Sequence, residues 1–190
     1  MKMSLIWTVC FILLIVIFPV KSFAQNPSVV VSLPVTPTPT PQTVDYTLPY
    51  PGILPDNPLY FLKAIRDNIY GWLISDPLKK TKFDLLMADK RLQMGVFLIN
   101  EGHDKISLAY QTISKGENYM SQAIDMSSAA KAQNENIAGV TNTLRIATEK
   151  HLEVLKGLEK QVPASQRSEL GRLESRVTNL IKQAKNIKTN

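Results

Sequence analysis

From residue 58 onward apolar side chains recur at three- and four-residue steps, the pitch of an α-helix with one buried flank. The first such stretch predicts a helix over 58–74, with Leu62, Ile65, Ile69 and Leu73 on one face. Asn57-Pro58 precedes it, a capping side chain followed by a residue whose φ already suits the first turn. Asp76-Pro77 repeats the device and opens a second helix, 77–100. There Leu78, Leu85, Leu92 and Ile99 fall seven residues apart, with small residues (Thr81, Ala88, Gly95) between them. Phe83, Met87, Met94 and Leu98 widen its apolar arc, as expected of a central helix. Gly102 and Asp104 are read as the stop of that helix and the cap of the next, 105–131, which carries Ile106, Ala109, Ile113, Met120, Ala123 and Ile124. A fourth helix, 135–161, aligns Ile137, Val140, Leu144, Ala147, His151, Leu155 and Leu158; Pro163 ends it. A fifth, 165–187, aligns Leu170, Leu173, Val177, Leu180, Ala184 and Ile187. No strand-like alternation appears after residue 58. The expected fold is all-α, an antiparallel bundle of four to five helices over 58–187 with short connections. Leu59, Tyr60 and Leu62 are expected to dock the first helix on Leu85 and Leu92, so that Leu62→Asp should unfold the domain.

The N-terminal segment has a different pattern. Leu5 to Val20 is apolar but for Thr8, follows Lys2, and leads to Ser22-Phe23-Ala24. This is the anatomy of a signal peptide over 1–24, cleaved ahead of Gln25. Retention as a membrane tether through residues 5–20 is the competing reading, although such a helix reaches only about 24 Å against a hydrocarbon core of about 30 Å. Residues 25–58 hold nine of the twelve prolines. The run PVTPTPTPQ favours extended polyproline II, so 25–57 is expected to be a disordered Pro/Thr-rich linker whose threonines are candidate glycosylation sites. Residues 188–190 are expected to be a disordered tail.

Charge and chemistry narrow the function. Cys10, the single cysteine, sits inside the apolar segment, so a processed chain would contain neither disulfide nor thiolate. The net charge of +6 is concentrated in residues 145–190, ten Lys/Arg against five Asp/Glu. An anionic envelope polymer or lipid is therefore a candidate partner, beside the plainer reading of a solvated helix face; nucleic acid is not expected outside the cell. His103 stands in a turn with Glu101 and Asp104, too few ligands for a closed metal site. His151 falls on the seam of the fourth helix, where a hydrogen bond to a neighbouring helix is the plain reading and a pH sensor or metal ligand the other. No nucleophile elbow, phosphate-binding glycine loop or paired carboxylate–histidine motif is present. No enzyme activity, cofactor or metal is expected, and the oligomeric state is open.

Two runs carry a resemblance. LPDNPLYFLK at 54–63 and DPLKKTKFDLLMADKRL at 76–92 resemble an uncharacterised helical domain of exported and membrane-anchored bacterial proteins. The residues that fit are Leu54, Pro55, Pro58, Leu59, Tyr60, Leu62 and Lys63, then Ala88, Arg91 and Leu92; the run from His151 to Leu155, followed by Val162-Pro163, resembles the family's later helix and break. The resemblance covers about residues 50–187. In some relatives the domain lies beyond an anti-sigma-factor-like segment; none is legible ahead of the apolar stretch, so no direct transcriptional link is expected. It implies a helical fold outside the cytoplasm and supplies no catalytic residue. The expected function is a non-enzymatic extracytoplasmic module that binds an envelope partner. The alternatives are a metal- or pH-responsive sensor and a binder of anionic polymer or lipid.

Overall fold

The structure, a computed structural model, describes residues 43–187. The expected signal peptide or anchor, linker residues 25–42 and the tail 188–190 lie outside the described residues. Five α-helices follow one another: α1 Tyr60–Leu73, α2 Pro77–Glu101, α3 Ile106–Ala132, α4 Ala138–Leu158 and α5 Arg167–Asn186. Short 3-10 turns at His103–Lys105 and Ala164–Gln166 lead into α3 and α5, and no strand occurs among the described residues.

The helix ends follow local chemistry. The Lys79 N–H donates to Asp76 Oδ1 at 2.8 Å, with Pro77 in the first turn, as the Asp-Pro pair predicts. Asn57 instead accepts from the Leu59 N–H at 2.8 Å within a turn, so α1 begins two residues later than expected. Asp104 makes no cap; the His103–Lys105 turn takes that place. α3 closes on Asn134, which adopts φ 62°, while the Glu135 N–H returns to the Ala130 carbonyl at 3.1 Å. This is a Schellman-type stop, with asparagine in the left-handed position that glycine usually fills. It uses residues 133–137 to turn the chain, so α4 starts at Ala138, later than its apolar pattern suggested.

α2 and α3 form one antiparallel hairpin and α4 and α5 another. The hairpins pack so that α3 lies beside α5 and α2 beside α4. Tyr110 donates to the Gln166 carbonyl at 3.2 Å, and Arg176 donates to Ser114 and Asn118. The two helices therefore advance together, and neighbours across the hairpins run parallel. Leu92, Leu98, Ile106, Ile113, Leu155 and Leu170 fill one end of the core; Leu85, Met120, Ile124, Leu144 and Leu180 fill the other.

The closest approach lies within the first hairpin. A Cβ on Gly95 would stand 2.3 Å from Ile113 Cγ1, and one on Gly116 would stand 3.0 Å from the Ala88 carbonyl. Of the small residues expected to admit a neighbour on α2, Ala88 and Gly95 do so. Beside this seam Glu117 is 1% exposed with neither oxygen hydrogen-bonded, and Arg176 Nε stands 3.4 Å away. Burial pushes the Glu117 carboxyl up to about 8, against the opposing pull of Arg176.

Gly95→Ala is expected to cost about 1–3 kcal/mol despite alanine's better helix propensity, because Ile113 must move. Gly171→Ala, with open space around its Cβ, should instead gain roughly 0.5–1 kcal/mol; urea unfolding compares the two. Glu117 favours the folded state when protonated. Its contribution is complete below its ordinary value of 4.5 and is lost as pH rises through about 8. Stability should fall across that window, and Glu117→Gln should flatten the decline and add about 1–3 kcal/mol at its alkaline end; unfolding curves across the range read both effects.

Candidate functional site

α1 has its two faces reversed. Tyr60, Ala64, Asp67 and Gly71 recur at helical spacing and turn toward α2, the one helix whose backbone α1 approaches. Asp67 is 5% exposed. The apolar stripe expected to be core turns outward: Leu62 is 55% exposed, Ile65 and Ile69 are each about half exposed, Leu73 more so, and Trp72 is 84% exposed. The expected docking of Leu59 and Leu62 on Leu85 and Leu92 is therefore incorrect for both leucines. Tyr60 alone turns inward, and it meets Arg91.

The cause is the polar surface that α2 and α3 present at this place. Arg91, itself 7% exposed, donates to the Tyr60 hydroxyl. Its guanidinium lies 5.4 Å from the Tyr60 ring centre and 5.7 Å from that of Tyr119, a cation held between two aromatic faces. Among the described residues it pairs with no carboxylate. Burial raises the Tyr60 hydroxyl above its usual range, and the nearby Arg91 charge works against the rise. Asp67 is held by its neighbour Arg66, with Nε at 3.1 Å and Nη2 at 2.7 Å. Gly71 admits Phe83, whose ring would stand 3.0 Å from an added Cβ. An aliphatic face would offer Arg91 neither a hydrogen-bond acceptor nor an aromatic ring, whereas Tyr60 offers both. A polar cleft of about 350 Å³, lined by Asn68, Lys115, Asn118 and Gln122 together with Arg91 and the two tyrosines, remains beneath the helix.

Outside, one flank of α1 meets the residues that precede it. Tyr50, Ile53, Leu59 and Leu62 wall a groove of about 560 Å³ edged by Lys63, Arg66 and Lys90. Lys63 donates to the Pro51 carbonyl at 3.0 Å, and burial lowers its ammonium to about 8 while Asp67 pulls the other way.

Residues 43–57, expected as the end of the linker, contain no helix yet are fastened to the bundle. The Val44 N–H donates to Glu153 at 2.6 Å, Lys150 donates to the Val44 carbonyl at 3.3 Å, and the Tyr46 hydroxyl donates to Asp89 Oδ2 at 2.5 Å. Burial and the Asp89 bond raise the Tyr46 hydroxyl. The other Asp89 oxygen faces His151 Nε2 at 2.9 Å. This Tyr46–Asp89–His151 chain resembles a catalytic relay in composition, but Asp89 and His151 are buried. It ties the incoming segment, α2 and α4 together.

The motif residues thus separate into groups. Leu54 and Pro55 are half-buried in the turn before α1, Pro58 is exposed, and Tyr60, Lys63 and Arg91 come together. Ala88 and Leu92 lie in the α2–α3 seam, and His151 stands apart on Asp89. Near His103, Glu101 is engaged by Lys105 at 2.5 Å, and Lys105 also reaches Asp56 at 2.6 Å. Asp89 reads in the sequence as an ordinary helix-surface carboxylate, and its burial corrects that; Asp67 and Tyr46 are not among the residues the sequence singles out. Asp67 had a signal, because it continues the Tyr60–Ala64–Gly71 stripe; Asp89 and Tyr46 become partners only in the folded chain.

The architecture defines an all-α module, a four-helix bundle that carries an added helix with its apolar side exposed. A family model described as domain of unknown function (DUF5667) matches residues 52–165, and the chain belongs to that family. The matched residues stop ahead of α5, short of the 50–187 that the motifs suggested. No curated protein and no solved structure matches the chain.

Leu62→Asp is expected to leave stability within about 0.5 kcal/mol of the parent, the range of an exposed substitution. Tyr60→Ala should cost roughly 1–3 kcal/mol by stripping Arg91 of its partner. Paired urea titrations decide this, and unfolding of Leu62→Asp would restore the inward docking.

Proposed function

We propose that the protein is a non-enzymatic, extracytoplasmic helical module that docks on a partner in the cell envelope through the outward side of α1. The observation that carries the reading is the stripe Leu62, Ile65, Ile69, Trp72 and Leu73, which stands in water beside a bundle with a complete core. Leaving five such side chains half-exposed or more forgoes roughly 5 kcal/mol of burial. A contiguous apolar face of this kind marks an interaction site. The apolar segment at residues 5–20 supports export, since it has the makeup of a signal or anchor. A sensor built on the histidines has less support, because Glu101 is held by Lys105 and His151 by Asp89. A binding surface on the basic C-terminal quarter also has less support. There Arg172 pairs with Glu169, Lys150 with Glu153 and Lys185 with Glu149.

Cysteine accessibility tests the docking whether or not the N-terminus is retained in the membrane. In a Cys10→Ser background, Ile69→Cys should react several-fold more slowly with a membrane-impermeant maleimide in native envelopes than in purified protein. Gln183→Cys on α5, an exposed site away from α1, should react equally in both. Equal labelling of Ile69→Cys in the two preparations would overturn the reading.

A further inference from the structure

Resting on the docking reading above, we infer that the surface α1 meets is an anionic phospholipid bilayer, with the helix lying in its headgroup region. The first argument is shape. At 14 residues α1 is about 21 Å long, too short to cross a bilayer but long enough to lie along one. No helix among the described residues is long and apolar enough to span. The second argument is the make-up of the outward side. Leu62, Ile65, Ile69 and Leu73 form its centre, and Tyr70 and Trp72 stand at its edges with 61% and 84% exposure. Indole and phenol rings settle where hydrocarbon meets headgroup.

The third argument is charge. α1 has one carboxylate, Asp67, and it is buried against the bundle. Arg66, although bonded to Asp67, keeps 60% of its side chain exposed; Lys79, in the first turn of α2 with Asp76 at 3.9 Å, keeps 78%. The adjoining groove, edged by Lys63, Arg66 and Lys90, contains no carboxylate in its lining. Cations beside an apolar stripe, on a helix that turns its one acid inward, complement lipid phosphates. The same arrangement disfavours a second copy of this chain as occupant. In a two-fold contact through α1 each copy would bring Lys63 and Arg66 and no outward carboxylate from the helix. The apolar segment at residues 5–20 also supports a bilayer, since on the proposed reading it brings the chain to a membrane.

The chain has two tryptophans, Trp7 and Trp72, so Trp7→Phe makes the α1 indole the sole reporter. On vesicles of phosphatidylglycerol and phosphatidylethanolamine, Trp72 emission should shift to the blue. Lipids brominated near the headgroup end of their chains should quench it more than lipids brominated near the methyl end. Vesicles of phosphatidylcholine alone should give a several-fold smaller response, as should the Lys63→Gln, Arg66→Gln, Lys79→Gln triple variant with unchanged helical circular dichroism. Salt at about 1 M, where charges are screened beyond about 3 Å, should weaken the response similarly. Emission that stays that of a wet indole on anionic vesicles overturns the inference. So does a blue shift that needs no lipid and grows with protein concentration, which would make a second copy the occupant. If Ile69→Cys is protected in envelopes while Trp72 stays wet on vesicles, the docking stands and the lipid assignment falls.

Discussion

The structure depends on how closely α2 and α3 approach each other. Gly95 faces Ile113 and Gly116 faces Ala88, so the two backbones meet where side chains would ordinarily hold helices apart. That contact aligns the long hairpin and brings Arg91 of α2 near Tyr119 of α3. The second hairpin then lays α5 along α3 and α4 along α2, enclosing the apolar core from both ends.

Arg91 follows from that seam and in turn orients α1. A guanidinium cannot be deprotonated, so burying it requires partners of the right chemistry. Tyr60 supplies both a hydroxyl and a ring face, and Tyr119 supplies a second ring. With Tyr60 committed inward, helical geometry sends Ala64, Asp67 and Gly71 inward with it and turns Leu62, Ile65 and Ile69 out. The exposed apolar face is therefore the far side of a polar contact. The hydrophobicity left in water is the cost of that contact and also the basis of the proposed docking.

The incoming chain is fixed by a separate set of polar bonds. Tyr46 and His151 share the two oxygens of Asp89, and Val44 bonds to Glu153. A proline-rich approach lacks the regular ladder bonds of helix or sheet. Side-chain acceptors on α2 and α4 supply an alternative, so residues 43–50 lie against the bundle although their composition reads as linker. Asp89 looks like an ordinary surface charge in the sequence, and only the convergence of three segments makes it a buried hub.

The sequence by itself determined the five helices, most of their ends and that α2 admits a close neighbour. Helical pitch, an Asp-Pro cap and small residues at seven-residue spacing are local signals that tertiary context did not reverse. It also showed that α1 is amphipathic. The tertiary structure alone decided which side of α1 is buried, how the two hairpins sit in the ring, and that Arg91, Tyr60 and Tyr119 converge. The physical reason is that periodicity records how a helix divides its surface, not what lies opposite each half. For α1 the bundle offers a buried cation and aromatic rings, so the polar half turns inward and the apolar half remains for a partner.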